Sequence, residues 1–209
     1  AKRIKDIYEK TDYAVVLETG GANIFELAWY MRGFKNLMID LVKNTNFVSR
    51  LLDRILEYHV AYLNDMLAEI GSYADVIVIG DDLAMQDRPM MSLTTYRSLI
   101  KPRQKMLVQT LRKKSSSKIL YHCCGSSSHF YEDLIEIGID AVNPVQVSAA
   151  QMNTRELKGK FGSRLAFWGG VDSQNVLPFG RPAEVEREVQ RRIEDLAPGG
   201  GYILCGVHN

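Results

Sequence analysis

The chain has 209 residues, 46% of them hydrophobic and 24% charged, with 26 Lys+Arg against 25 Asp+Glu. That composition excludes a disordered or collagen-like chain, and a formal net charge of +1 gives no field to gather nucleic acid or an anionic membrane surface. No apolar run approaches the ~18 residues of a spanning helix, no charged-then-apolar leader opens the sequence, and three cysteines, two of them adjacent, make no disulfide framework; the expectation is a reducing, cytoplasmic compartment.

Apolar runs of strand length alternate with helical patterns. Residues 13–17 (YAVVL) form the first run and lead into Glu18-Thr19-Gly20-Gly21. Residues 46–70 repeat apolar side chains near a 3.6 period, from Val48, Leu51 and Leu52 to Met66 and Leu67, and predict a long helix stopped at Gly71. The second strand, 75–79 (DVIVI), ends in Gly80-Asp81-Asp82. A helix over 93–114 begins after Ser92, a good N-cap, and Pro102 should kink or interrupt it. The third strand, 118–121 (KILY), runs into His122-Cys123-Cys124-Gly125. A helix over 130–137 ends at Gly138, and a short strand at 140–142 leads into Asn143-Pro144. A helix over 150–160 precedes a strand at 165–168 (LAFW) that runs into Gly169-Gly170-Val171-Asp172. The helix over 182–196 opens on Pro182 and closes before a glycine run, and the last strand, 201–204 (GYIL), runs into Cys205-Gly206.

Strands that are apolar without clean alternation are expected to be covered on both faces. Six strand–helix steps in succession predict parallel strands joined by right-handed crossovers. Every strand ends in chemically capable groups: Glu18, Asp81 and Asp82, His122 and Cys124, Asn143 and Gln146, Asp172, and Cys205 and His208. An open doubly wound sheet binds mainly at one switch point, whereas a barrel gathers all its strand ends around one mouth. The pattern therefore favours a (β/α)8 barrel.

His122 and Cys124 lie two apart at a strand end, so their side chains face the same way and Cys123 faces the other. With Cys205 they make one imidazole and two thiolates, a set suited to zinc with its fourth position open. Spacing alone leaves two readings, a metal site and ordinary packing of cysteines.

Residues 76–209 resemble the uroporphyrinogen decarboxylase superfamily, in particular its corrinoid-dependent methyltransferase branch. The matching stretches are GDDLAMQDRPMMSLTTYRSLIKP (80–102), YHCCG (121–125), LIEIGIDAVNPVQ (134–146), LKGKFGSRLAFWGGVDSQNVLPFG (157–180) and GGGYILCGVHN (199–209). The resemblance implies a (β/α)8 TIM barrel, present in one domain over 1–209 as about six βα units. These would be strands three to eight, with the first two strands and the last helix outside the sequence. The edges at 13–17 and 201–204 would then be open, a liability for aggregation or a route to a homodimer. The resemblance also implies zinc on His122, Cys124 and Cys205, and methyl transfer between a corrinoid (cobalamin) carried on a partner protein and a small acceptor such as a thiol. Within that frame Asp82 and Glu18 are the candidate catalytic carboxylates. Asp81, Asn143, Gln146, Asp172 and His208 are the candidate substrate contacts. Two rivals stay open: a metal-free, decarboxylase-like lyase, and a non-catalytic corrinoid- or metal-binding barrel.

Overall fold

The structure, a computed structural model, describes residues 1–208. Six strands form one sheet in the order β1-β2-β3-β4-β5-β6, the order in which the chain makes them, and the sheet does not close. The chain divides into two compact units, Ala1–Asp81 with Ser92–Leu120, and Asp82–Met91 with residues 121–208.

The first unit opens with α1 (Lys2–Lys10). This helix buries no residue; Ile4, Ile7 and Tyr8 share one face, and the pairs Lys10–Asp6 (2.6 Å) and Lys5–Glu9 (3.8 Å) support the other at i,i+4 spacing. Strand β1 (Val16–Ala22) pairs in parallel with β2 (Val76–Gly80), with an irregularity between Glu18 and Ala22. It lies further along the chain than the apolar run suggests. Tyr13 is 77% exposed, and the start is pinned instead by the Asp75 carboxylate, which accepts from the Val15 amide at 2.7 Å.

Helices α2 (Phe25–Arg32) and α3 (Phe34–Lys43) follow, separated by Gly33 at φ 81°, and then α4 (Thr45–Ile70). The apolar face of α4 buries Val48, Leu52, Ile55, Leu56, Leu63, Leu67 and Ile70, each worth ~1.5–3 kcal/mol when fully removed from water. The next helical segment is interrupted as Pro102 requires. A short α5 (Leu93–Thr95) passes into a π-turn at Tyr96–Ile100, and α6 (Lys101–Lys114) begins with Pro102 in its first turn. Proline has no N–H to give and its ring crowds the carbonyl four residues back, so a widened turn ahead of it removes both conflicts. Ser92 caps the start, its Oγ accepting from the Thr95 amide at 3.0 Å. Arg103 then ties α6 to α4 through Asp53 (2.9 Å) and Ser49 Oγ (2.6 Å).

Strand β3 (Lys118–His122) leads into the second unit. A 3-10 turn at Ser127–Phe130 passes into α7 (Tyr131–Ile137), which ends on left-handed Gly138 as its position in the sequence predicts. Strand β4 (Ala141–Asn143) precedes α8 (Thr154–Phe161). This helix starts four residues later than its apolar pattern suggests, because the Asn153 side chain caps it by accepting from the Arg155 and Glu156 amides. Strand β5 (Ala166–Trp168), the short α9 (Val176–Phe179), α10 (Pro182–Leu196) and β6 (Tyr202–Ile203) complete the unit. Pairing is parallel between β4 and β5 and between β5 and β6. Its core is built on Tyr121, Phe130, Tyr131, Leu134, Phe167 and Leu196. No helix among the described residues is long and apolar enough to cross a membrane.

Candidate functional site

The second unit brings an imidazole–thiol cluster together at the end of β3. His122 is the last residue of the strand and Cys124 lies two further on. Alternation holds across that step: Cys123 is buried, its Sγ accepting from the Leu83 amide at 3.3 Å, while His122 and Cys124 are half-buried. His122 Nε2 lies 3.5 Å from Cys124 Sγ. Ligand atoms of His122, Cys124 and His208 all fall within 4.8 Å of one another. The two imidazoles stand edge to face, centroids 5.5 Å apart at 89°.

The surrounding groups fix this geometry. Asn143, at the end of β4, donates from Nδ2 to the Trp168 carbonyl at 3.3 Å, so its Oδ1 is the atom that faces His122 Nδ1 at 2.7 Å. An amide oxygen only accepts, so Nδ1 must carry the proton. In the neutral ring, Nε2, turned toward Cys124, then keeps its lone pair. Asp82 accepts from the Cys124 backbone amide at 2.7 Å and so sets the turn that presents the thiol. Gly125 follows at φ 80°, a position where a Cβ would lie 2.4 Å from the Met85 carbonyl oxygen.

A half-buried thiol, a half-buried oriented imidazole and an exposed second imidazole form a donor set that fits a borderline metal. Tetrahedral zinc with Zn–N near ~2.05 Å and Zn–S near ~2.3 Å would place N and S about 3.5 Å apart. The His122–Cys124 separation already has that value.

The remaining residues singled out from the sequence are placed as follows. Cys205 lies just beyond β6 and outside the cluster; its Sγ reaches the Gly206 carbonyl at 3.3 Å, and burial pushes its thiol up despite a hydrogen bond with Trp168. Gln146 is buried and bridges two loops, accepting from Gly125 N–H (2.7 Å) and donating to Gln86 Oε1 (2.6 Å). Asp172 caps the turn into α9, accepting from the Gln174 and Asn175 amides and the Asn175 side chain. Burial raises its pKa, but those bonds outweigh burial and leave the carboxyl below its usual value.

Glu18 and Asp81 belong to the first unit. Glu18 is exposed in the middle of β1, opposite Val78 in register, rather than at the end of a strand facing inward. Asp81 is buried and accepts from the Ile24 and Glu26 amides and from Gln104 Nε2, which makes it the anchor of the start of α2. Burial pushes its pKa up to about 7 against the lowering effect of those bonds. His59 is buried too, hydrogen-bonded to the Asn23 carbonyl at 2.8 Å.

Asn143, a candidate substrate contact in the sequence, holds His122 in the structure. The available signal was that it closes the strand next to β3. His208, a candidate substrate contact in the sequence, stands against His122.

A parallel α/β sheet whose strand ends carry the chemistry, with a metal-fitting cluster after its third strand, defines an incomplete barrel of the (β/α)8 type. The family model of uroporphyrinogen decarboxylase (URO-D) matches residues 3–208, and the chain belongs to that family. It is similar to uroporphyrinogen decarboxylase of Aquifex aeolicus (strain VF5), 28% identical over 145 residues that cover 67% of this chain and 40% of the relative. Among solved structures it is similar to a methyltransferase from Methanosarcina mazei, with a TM-score of 0.73 and 26% identity, over 98% of this chain and 57% of the other. It also shares a fold with 7,8-dihydropteroate synthase from Vibrio fischeri ES114, with a TM-score of 0.53 and 15% identity over 92% of this chain and 62% of the other. The chain thus spans less than two thirds of the length of each of these proteins.

Proposed function

We propose that the protein is a zinc-dependent methyltransferase that moves a methyl group between a corrinoid carried on a separate protein and a thiol or similar small acceptor. The observation that carries this reading is the 3.5 Å pair of His122 Nε2 and Cys124 Sγ, matched to a tetrahedral zinc edge. Its likeness to a methyltransferase over nearly the whole chain supports it. Bound there, Zn2+ would supply Lewis acidity that lowers the pKa of an acceptor thiol and holds it as the nucleophilic thiolate. The chain's own groups prepare that position. Asn143 keeps the His122 proton on Nδ1, and Asp82 fixes the backbone that carries Cys124. A protonated thiol is a poor nucleophile, so the acceptor's proton must leave to solvent as its sulfur binds. Transfer to such a thiolate would make the S–CH3 bond at the expense of the methyl–corrinoid bond, the electron pair of that bond remaining with the corrinoid. A reducing, cytoplasmic setting would keep Cys124 competent.

Anaerobically purified protein should contain zinc. It should also demethylate methylcobalamin when a thiol such as 2-mercaptoethanesulfonate or homocysteine is present, read from the cobalamin absorbance. Protein without zinc, or without demethylation by any thiol, would overturn the reading. A second reading, a metal-free decarboxylase-like lyase, is favoured by the name of the Aquifex relative. It predicts CO2 release from a porphyrinogen with chelator present.

A further inference from the structure

We propose that Gln86 is a positioning residue for the Cys124 thiol, acting through Gln146 on the turn that carries it. The geometry stands without a metal; what it does for the reaction rests on the methyltransferase reading above.

Residues 82–91, which follow β2, fold into a tight hairpin. The Met85 amide donates to the Arg88 carbonyl at 2.7 Å and the Met90 amide to the Leu83 carbonyl at 2.9 Å, with Ala84 and Pro89 bridged in antiparallel. This hairpin receives the residues after β3 one after another. The Leu83 amide donates to Cys123 Sγ at 3.3 Å. Asp82 Oδ1 accepts from the Cys124 amide at 2.7 Å, and the Met85 carbonyl accepts from the Ser126 amide at 2.8 Å. Between them the Gly125 amide donates to Gln146 Oε1 at 2.7 Å, and Gln146 Nε2 donates to Gln86 Oε1 at 2.6 Å. The hairpin thus reaches Gly125 through one intervening side chain.

The direction of that relay follows from its first donor. A backbone N–H only donates, so Gln146 turns its oxygen to Gly125 and its NH2 to Gln86. Gln86 must then offer an oxygen, because an NH2 in that place would set donor against donor. Gln146 is 4% exposed, so losing the acceptor leaves a poorly hydrated amide that gains by turning away and releasing Gly125. Gln86 itself is exposed, yet its backbone is fixed, its carbonyl accepting from the Ala150 amide at 2.8 Å. An exposed side chain is thereby tied, through two hydrogen bonds, to the residue directly after Cys124. Gly125 packs at φ 80° against the Met85 and Ala84 carbonyls, so a shift of the relay passes to Cys124 and is not absorbed at the glycine.

Residue-resolved alkylation tests this on the full chain, reduced and stripped with chelator so that Cys124 can react. In Gln86→Leu, iodoacetamide should label Cys124 about fivefold faster than in wild type, the equivalent of one net hydrogen bond, while Cys205 keeps its rate. Gln86→Glu retains an acceptor for Gln146 and should restore the wild-type rate. The Gly125 amide proton resonance should move upfield in Gln86→Leu and return in Gln86→Glu. Far-ultraviolet circular dichroism checks that each variant is folded, and Gln86→Ala serves as a second removal of the acceptor. Unchanged Cys124 labelling in Gln86→Leu, or Gln86→Glu behaving like Gln86→Leu, would overturn the proposal. Parallel acceleration at Cys205 would show general loosening and overturn it too. Co2+ titration separates this from the proposed function: a wild type that binds no Co2+ would overturn the methyltransferase reading, and the labelling rates would still decide the role of Gln86.

Discussion

Asn143 Oδ1 lies 2.7 Å from His122 Nδ1, and the direction of that bond is settled one step further out, where Asn143 Nδ2 donates to the Trp168 carbonyl at 3.3 Å. A backbone carbonyl can only accept, which fixes the amide, and the amide fixes the histidine tautomer. Partners that orient a metal-ligating imidazole in this way typically govern affinity by 10–100-fold. Asn143→Leu should therefore weaken zinc binding by roughly that factor in competition with a chelator of known affinity. Asn143→Asp keeps an acceptor on Nδ1 and should stay near wild type. Nitrogen chemical shifts of the His122 ring should show a proton on Nδ1 in wild type and a mixture of tautomers in Asn143→Leu. Equal affinities and an unchanged tautomer in Asn143→Leu would refute the assignment.

That relationship also shows where the sequence stops being readable. Strands β2, β3 and β5 are legible because runs such as VIVI and KILY are short, apolar and closed by glycine or polar residues. Helix α10 is legible to the residue because Pro182 and the glycine run bracket it. Helices α1, α2 and α3 are not, since α1 buries nothing and Gly33 divides the other two into segments too short to show a full period. His122 and Cys124 are legible because period two holds along a strand. The orientation of Cys205 depends on a segment past the end of β6, where no period applies. What turns that segment is Ser173, more than thirty residues earlier, and no local pattern connects the two.

Asp81 gives the protein a pH dependence of known sign. Burial raises its folded pKa to about 7 from an ordinary value of 3.8, even though Glu26 N–H, Gln104 and Ile24 N–H all favour the charged form. The Glu26 carboxylate adds to the rise. The folded protein thus holds a proton that the unfolded chain has lost over the window between those two values. Where the native state binds more protons, stability falls as pH rises. The Asp81 contribution is therefore favourable near pH 4 and is lost progressively toward pH 7. Urea midpoints at pH 5 and pH 8 should differ more for wild type than for Asp81→Asn. A variant with the same difference as wild type would contradict the linkage.

Gly125 should tolerate no side chain. Its φ of 80° is costly for any L-residue, and a Cβ would sit 2.4 Å from the Met85 carbonyl oxygen and 2.9 Å from that of Ala84. Both obstacles are backbone, so neither can rotate away. The Ser126 amide binds that same Met85 oxygen at 2.8 Å, and Gln146 holds the Gly125 amide. Gly125→Ala is expected to cost about 2–4 kcal/mol and to displace Cys124, its neighbour. Chemical denaturation and Co2+ affinity should fall together. A stable Gly125→Ala protein with wild-type metal affinity would show that the turn is adaptable.

Arg192 on α10 is expected to carry a large cost when substituted. It is 5% exposed, forks onto both oxygens of Glu188 at 3.0 Å each, and donates to Thr154 Oγ1 at 2.6 Å. Thr154 in turn donates to Asp195 at 2.6 Å, so one network joins the start of α8 to the buried face of α10. Glu188 is itself only 10% exposed. Removing the guanidinium strands that carboxylate in a poorly solvated place, and breaking a buried pair in this way costs about 3–5 kcal/mol. Arg192→Ala should lose that amount in urea denaturation at pH 7. The double change Arg192→Met with Glu188→Leu removes both charges, leaves only the Asp172 amide (3.3 Å from Glu188 Oε1) to find another acceptor, and should recover most of the loss. If the double variant is no more stable than Arg192→Ala, packing of the arginine stem, not the charge pair, dominates at this site.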